Sequence, residues 1–373
     1  MEIEICRVTT QKELKRFVRF QLGLYKGNPY WCPPLIFDEL NTLDSHKNPA
    51  FEYCEAEYWL AYKDNKIVGR IAGIINNKAN QRWNEKFVRF GWIDFIDDPE
   101  VSSKLIETVS EWGRSKGMIA IQGPLGFTDM DPEGMLIEGF KELSSMSTIY
   151  NYPYYPKHMV RSGFGKGVDW VQFDINIPKV TPGKVARSVA LVKEKYHLRM
   201  LKAKRSKDFL PYTKKMFRMM NDAFNDLYGF AAINEKQIEL YTKQYFGFIR
   251  PEFVSIVLDD KDDIIAFGVT IPDLTHALQK CNGRIFPFGF LHLYRALRKN
   301  KSIHMYLIGV RPDYQGKGAL ALVYYELQKV YLKHGIVNAT TQPQLENNFK
   351  AISIWKNYDS RIYLRRRCWE KHF

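Results

Sequence analysis

The stretch Ile303–Tyr325, IHMYLIGVRPDYQGKGALALVYY, decides the fold. Its first part, Met305–Val310, is apolar and rich in β-formers, and it runs into Pro312, which cannot extend a strand ladder. The tight loop Gln315-Gly316-Lys317-Gly318 follows, and the residues after it take a helical period. A strand that stops at a glycine-rich loop and turns into a helix makes an anion site. The glycines let the backbone approach a phosphate, and the free N–H groups of the first helical turn, with the helix dipole, favour negative charge.

Ahead of this stretch, Phe253–Leu258 and Ile264–Ile271 read as a hairpin around Asp259–Asp263, preceded by a strand near Leu198–Lys202 and a helix near Phe209–Asn225. Behind it come the remainder of its helix, to about His334, a strand near Ile336–Thr341 and a helix over Asn347–Trp355. A weakly alternating tail from Arg361 contains Arg365-Arg366-Arg367. The first half has a similar order. Ile3–Val8 alternates as a strand, and Thr10 with Glu13 three residues on marks a capped helix that runs to about Tyr25. A hairpin over Tyr58–Ala61 and Ile67–Ile75 follows, then a strand over Phe87–Phe95. Asp98-Pro99-Glu100 opens a helix that Gly117 ends, and strands at Met118–Gln122 and Trp170–Ile177 complete the half.

Gly69 follows Val68 in the first hairpin, and Gly268 follows Phe267 in the second, 199 residues later. The Gly163 corner before the last strand of the first half matches Asp359 before that of the second, 196 residues later. Offsets this close predict a duplicated α/β unit. The expected division is an N-terminal domain over 1–178, a basic helical linker over 179–197 and a C-terminal domain over 198–373. In the first half, Asp129, Asp131, Glu133 and Gly134 have the spacing of the start of a calcium loop. The twelfth position is Phe140, where that loop needs a bidentate Glu, so the segment reads as a structured acidic loop.

With 373 residues, 45% of them hydrophobic and 14% aromatic, the chain can fill two cores of ordinary size. No apolar run approaches the ~20 residues of a membrane span. The start, MEIEICRVTT, has neither the basic nor the apolar region of a secretory signal. Cys6, Cys32, Cys54, Cys281 and Cys368 are scattered, odd in number and without a C-x-x-C pair. That pattern suits a reduced cytoplasmic protein with neither a zinc ribbon nor a disulfide framework. The net charge of +14 favours anionic partners: nucleotides, phosphorylated cofactors, nucleic acid or an acidic membrane face.

Val310-Arg311-Pro312-Asp313-Tyr314-Gln315-Gly316-Lys317-Gly318 resembles the acyl-CoA signature of the GCN5-related N-acetyltransferase (GNAT) superfamily: a β-branched residue, any residue, Pro, then Gln/Arg-x-x-Gly-x-Gly/Ala. Leu320 stands where the final small residue belongs, with Ala321 next. The resemblance covers 198–373 well and 1–178 in element order only, because Asp97–Leu105, DDPEVSSKL, lacks a glycine loop. It implies an α/β protein with a mixed α+β sheet, built from two GNAT-like acyl-CoA N-acyltransferase domains, the first of them degenerate. It also implies acetyl-CoA, or another acyl-CoA, as co-substrate and no metal. The pyrophosphate would lie on the backbone of Gln315, Gly316, Lys317, Gly318, Ala319 and Leu320, with charge added by Lys317 and Arg311. Pantetheine would run along Leu307, Ile308, Gly309 and Val310, and Asn347 or Asn348 would hydrogen-bond the cofactor.

The implied reaction is direct transfer of an acyl group, acetyl foremost, to an amine, which needs a base and an acid. In histone-acetylating members a glutamate base stands six residues before the position of Val310. Here that position is His304, a residue type that titrates near neutrality. Tyr306, two residues on, shares its face of a regular strand. On the C-terminal helix, Asn348 and Ala351 put Trp355 where many members carry a tyrosine acid. Tryptophan cannot supply that proton, and Tyr358, three residues on, is the substitute. Acyl-CoA and an amine-bearing acceptor are the favoured partners, ahead of nucleic acid. Two other readings remain open. An aminoacyl-tRNA-dependent transferase of the peptidoglycan-bridge type would use the basic surface and Arg365–Arg367. A CoA sensor or scaffold without turnover would suit Trp355 and Leu320. The aromatic segment Ile285–Tyr294, IFPFGFLHLY, reads as core, as a lid, or as a binder of lipid or a long acyl chain.

Overall fold

The computed structural model describes residues 2–181 and 183–373. Along the chain the strands are β1 (Glu4–Arg7), β2 (Cys54–Lys63), β3 (Lys66–Asn76), β4 (Phe87–Phe95), β5 (Ala120–Gly123), β6 (Met135–Glu138), β7 (Gly165–Asn176), β8 (Arg199–Met200), β9 (Val254–Leu258), β10 (Ile264–Pro272), β11 (Ser302–Val310), β12 (Asn338–Thr341), β13 (Gln344–Leu345) and β14 (Ser360–His372). The chain divides into two compact units. The first comprises Met1–Val171, Leu274–Leu293 and Tyr363–Phe373, and the second Gln172–Asp273 and Tyr294–Ile362.

In the first unit β1 through β4 pair antiparallel in sequence order. β4 and β5 are parallel, and β5 pairs antiparallel with the end of β14, Gly123 opposite Trp369. Alternation along β2 and β3 sends side chains to two cores. Trp59, Ala61 and Ile71 pack with Val101, Leu105 and Val109 of the helix Pro99–Ser115. Tyr58, Leu60, Ala72 and Ile74 pack with Leu14, Phe17 and Val18 of the helix Gln11–Leu24. The latter helix begins with the expected capping box: Glu13 N–H donates to Thr10 Oγ1 at 3.2 Å, and Thr10 N–H donates back to Glu13 Oε2 at 2.9 Å. The Thr9 and Thr10 N–H groups, both donating to Oε2 at 2.9 Å, hold the Glu13 carboxyl down at about 2.

Two stretches join this unit from far along the chain, and hydrogen bonds hold one of them in place. Gln279 Nε2 donates to the carbonyls of Pro29 and Trp31, both at 2.9 Å, and Ile36 N–H donates to the Gly283 carbonyl at 3.1 Å. The helix Thr275–Cys281 in this stretch carries no strong periodic signal, and sequence reasoning passes over it. Other local differences are a strand, β6, inside the acidic loop, and a helix at Glu235–Phe246 in the second unit.

In the second unit β8, β9, β10 and β11 pair antiparallel, β11 and β12 are parallel, and β12 pairs antiparallel with the end of β7. The two units repeat one device. A β-carbon on Gly69 would lie 2.8 Å from Leu105 Cδ1, and one on Gly268 would lie 2.7 Å from Val323 Cγ1. In each case the helix that follows the central strand lies so close to the hairpin that only glycine fits. The duplication read from Gly69 and Gly268 is therefore physical. Among the described residues no helix is long and apolar enough to cross a membrane.

Candidate functional site

β11 and β12 run in register from Ser302 opposite Asn338 to Met305 opposite Thr341, and there the pairing stops, while β11 continues to Val310. β11 bulges at the same point. Met305 faces Thr270 and Leu307 faces Val269, so Tyr306 is the extra residue. Burial changes with it: Ile303 to Tyr306 are buried, whereas Leu307, Ile308 and Val310 are partly exposed. Among the described residues, a parallel pair that opens beyond a bulge leaves one edge of β11 without a paired strand, a geometry that an extended ligand can use.

β11 ends in a loop whose Gly316 and Gly318 have φ of +74° and +84°. At Gly318 a β-carbon would lie 2.9 Å from Val192 Cγ2, on the helix Gly183–Lys195. Backbone conformation and contact both require glycine there. Gly318 is the N-cap of the helix Ala319–Lys333, so no side chain caps this end, and its first turn holds no acidic residue. Ala321 N–H turns back to the Gly318 carbonyl at 3.0 Å, while the amides of Ala319 and Leu320 precede any intrahelical acceptor, which leaves the positive end of this helix suited to an anion. Lys317 Nζ lies 5.8 Å and 5.3 Å from the ring centres of Tyr196 and Tyr314. Arg311 does not match its expected role. Nε and Nη2 donate to the two carboxylate oxygens of Asp313 at 2.7 and 3.1 Å, and Nη1 lies 3.5 Å from Asp259 Oδ2. Its charge is neutralised within the turn, and a phosphate would find Lys317 instead.

His304 is buried on β11, with Nδ1 2.8 Å from Thr340 Oγ1. Burial lowers its pKa from 6.5 to about 4, against the charge of Asp273 and a hydrogen bond with Gln342, so the ring is neutral at neutral pH. It does not titrate near neutrality as its residue type suggests. Tyr306 is also buried, but the bulge interrupts the alternation that would place it on the His304 face.

The C-terminal helix is shorter than its pattern suggests. It spans Phe349–Ile352 and tightens into a 3-10 turn over Ser353–Asn357. Trp355 is 1% exposed and packs against Tyr324 and Phe173, with its indole N–H donating to Gln344 Oε1 at 3.0 Å. Tyr358 follows in extended conformation, not on a helix face, and its ring lies 5.9 Å from Trp355. Burial raises the Tyr358 hydroxyl, and raises that of its neighbour Tyr324 further. Sequence reasoning missed Tyr324, whose place on the long helix looks like any other core position. Asn348 caps the short helix, its side chain accepting from Ala351 N–H at 3.3 Å, while Asn347 is exposed.

The first unit has the same parallel opening, β4 and β5 pairing only from Phe87–Ala120 to Arg89–Gln122. Here the chain fills the gap itself. Leu125 N–H donates to the Phe90 carbonyl at 2.9 Å, and a β-carbon on Gly91 would lie 2.6 Å from the Leu125 carbonyl oxygen. The following helix has Asp98 as N-cap, its carboxylate accepting from Glu100 N–H at 3.0 Å and from Lys63 Nζ at 2.8 Å, with Glu100 in its first turn. The Asp98 cap takes a helix-start amide that a phosphate would use, while Lys63 and Lys104 pair with Asp98 and Glu100. Beside β4 a separate pocket is lined by Trp31, Glu39, Arg70, Trp92, Asp94 and Tyr150. Trp92 has φ of +44°, and its indole N–H donates to Glu39 Oε2 at 2.9 Å.

No family model matches the chain. It is 27% identical over 368 residues to protein YghO of Escherichia coli (strain K12), covering 97% of this chain and 93% of that one. It is 25% identical over 323 residues to the bacterial ceramide synthase of Caulobacter vibrioides (strain NA1000 / CB15N), covering 84% of this chain and 82% of that one. Among solved structures it resembles a tandem GNAT protein from the clavulanic acid biosynthesis pathway, with a TM-score of 0.58 at 10% identity over 100% of this chain and 98% of that chain. A GCN5-related N-acetyltransferase from Sphaerobacter thermophilus gives 0.52 at 12% identity over 99% and 95%. The chain has the tandem GNAT fold. The likeness extends through the first half, which the sequence resembles in element order only.

Proposed function

We propose that the chain is an acyl-CoA-dependent N-acyltransferase whose second unit binds the acyl donor. The observation that carries this reading is the release of β11 from β12 after Met305, followed by the uncapped, acid-free helix start at Gly318. When bound, acyl-CoA supplies an activated thioester carbonyl to a neutral amine. The backbone of Gln315 to Leu320 holds the diphosphate, with Lys317 as the nearby cation, and Leu307 to Val310 pair with the pantetheine amides. His304, neutral at working pH, takes the proton that the acceptor nitrogen loses as its bond to the carbonyl forms, and Tyr358 is the proton donor at the thiol. Asn348 serves its helix in this reading, and Asn347 is the exposed amide near the cofactor. The first unit does not bind CoA, a reading supported by its filled gap and by Asp98.

For the acceptor, the likeness to a ceramide synthase over most of both chains favours a long-chain amino alcohol, since a ceramide is the amide of such a base. Calorimetry with acetyl-CoA and with a long-chain acyl-CoA, followed by thiol release across short polyamines, amino sugars and long-chain amino alcohols, tests both parts. Failure to bind either CoA ester rejects the donor assignment and revives transfer from aminoacyl-tRNA. Binding without turnover on any amine makes the chain a CoA sensor. Turnover on polar amines alone rejects the long-chain acceptor and leaves the donor assignment standing.

A further inference from the structure

The segment Ile285–Tyr294 is neither core nor a closed lid. Phe286 is 79% exposed, Phe288 69%, Phe290 45%, Leu291 44% and Tyr294 52%. Single exposed apolar residues are ordinary, but this many on one turn and the helix that follows it form a patch that water does not favour. The turn holds its shape through the backbone. Phe290 N–H donates to the Ile285 carbonyl at 2.8 Å and Leu291 N–H to the Phe288 carbonyl at 3.1 Å. The helix Gly289–Arg298 is fixed on one side by buried Gly289 and Leu293, so Phe290, Leu291 and Tyr294 stay outward. The helix Thr275–Cys281 just before it is tied down by the Gln279 bonds to Pro29 and Trp31. The aromatic tip is thus displayed by a held base.

Charge identifies what the tip faces. Between Asp273 and Asp313 the sequence has no acidic residue, and it has Lys280, Arg284, Arg295, Arg298, Lys299, Lys301 and Arg311. Arg284, Arg295, Arg298, Lys299 and Lys301 are all exposed. Arg298 stacks on Tyr294, its guanidinium carbon 4.4 Å from the ring centre. An apolar tip bordered along the chain by cations, with Tyr at the boundary, has the chemistry of a helix lying in a lipid interface. A protein–protein interface is depleted in lysine where this rim is rich in it.

We propose that the Arg284–Lys301 segment docks the protein peripherally on an anionic phospholipid bilayer, with Phe286, Phe288, Phe290 and Leu291 entering the acyl boundary and the flanking Arg and Lys meeting the headgroups. This inference is independent of acyl transfer. It rests on exposure and charge alone.

The test uses the full chain and large vesicles, in a flotation assay, of phosphatidylcholine alone or mixed with phosphatidylglycerol. The wild type binds the mixed vesicles at low salt, and raising the salt weakens binding. Phe286→Ser with Phe288→Ser lowers affinity about a hundredfold, since each side chain contributes at least tenfold on burial. Arg295→Gln with Arg298→Gln lowers affinity about tenfold or more for the mixed vesicles and leaves the weak binding to phosphatidylcholine unchanged. All four positions are on the surface, and unchanged far-ultraviolet dichroism and thermal midpoints confirm that the variants fold. Failure of the wild type to float with either vesicle overturns the proposal, as does equal binding by the double Phe variant. A lipid-free dimer by light scattering, abolished by the Phe substitutions, also overturns it and makes the patch a contact between copies of the chain.

Discussion

His304 Nδ1 lies 2.8 Å from Thr340 Oγ1, the residue directly opposite it on the parallel strand β12. The bond fixes the ring one residue before the pairing ends, at the edge of the opening. Burial holds the ring neutral down to about pH 4. A base of this kind is already deprotonated at neutrality, so its acid limb in the rate profile falls near pH 4 and not near 6.5. His304→Gln keeps a partner for Thr340, lowers turnover about a hundredfold and removes that limb. A wild-type limb at 6.5, or an unchanged profile in the variant, rejects the role. Stability carries the same signature. The unfolded chain takes this proton near 6.5 and the folded chain only near 4, so the contribution is complete above 6.5 and declines as pH falls from there to about 4. Urea unfolding across that window shows a shallower acid slope for His304→Gln.

The two loop glycines separate conformational cost from packing cost. Gly316 has φ of +74° with nothing within 4 Å of its β-carbon position, whereas Gly318 has φ of +84° and Val192 at 2.9 Å. Gly316→Ala costs about 1 kcal/mol, the left-handed penalty alone. Gly318→Ala costs that and a further ~1–3 kcal/mol of overpacking. Adding Val192→Ala to Gly318→Ala recovers the second part and not the first, which a double-mutant cycle by chemical denaturation measures. Equal costs for the two glycine variants would show that the helix Gly183–Lys195 yields freely.

The loop was legible because its chemistry is local: glycine spacing, a proline and a helical period all fall within Val310–Gly318. Gly69 and Gly268 were legible for the same reason, each marking a close approach of helix to hairpin. What the sequence hid depends on distant partners. Arg311 reads as a phosphate ligand until Asp259, far from it in sequence, is seen beside it. His304 reads as a neutral-pH base until burial is known. Alternation puts Tyr306 with His304, and a bulge set by pairing with β10 undoes it. Trp355 sits at the expected position but is packed into the core, which places Tyr324 beside it without any sequence signal.

Arg70 and Asp94 form a buried ion pair in the first unit, Nη2 to Oδ2 at 2.7 Å, and Tyr25 adds a hydrogen bond to Asp94 Oδ1 at 2.7 Å. Removing one partner leaves a charge with no water to solvate it. Asp94→Ala is therefore destabilising by about 3–5 kcal/mol. Arg70→Met combined with Asp94→Leu costs less than Asp94→Ala alone, because no unpaired charge remains. Thermal midpoints for the single and double variants check the order, and a double variant worse than the single one contradicts it.

Glu39 gives the first unit a titration of opposite sign to that of His304. Burial raises its carboxyl from 4.5 to about 7, helped by Asp38 and Asp94 and opposed by Arg70 and the Trp92 bond. The folded chain thus holds a proton that the unfolded chain releases near 4.5. Stability from this group is complete below 4.5 and is lost as pH rises through about 7. Glu39→Gln keeps an acceptor for the Trp92 indole and cannot ionise, so it removes the alkaline loss. The variant is more stable than wild type above pH 7 and closely matched to it near pH 4.5. Indole emission reports the same event, because Glu39 Oε2 lies 2.9 Å from Trp92 Nε1. The difference in emission between wild type and Glu39→Gln titrates with a midpoint near 7. A midpoint near 4.5 would mean that the carboxyl is open to water, and would reject burial as the cause of its raised value.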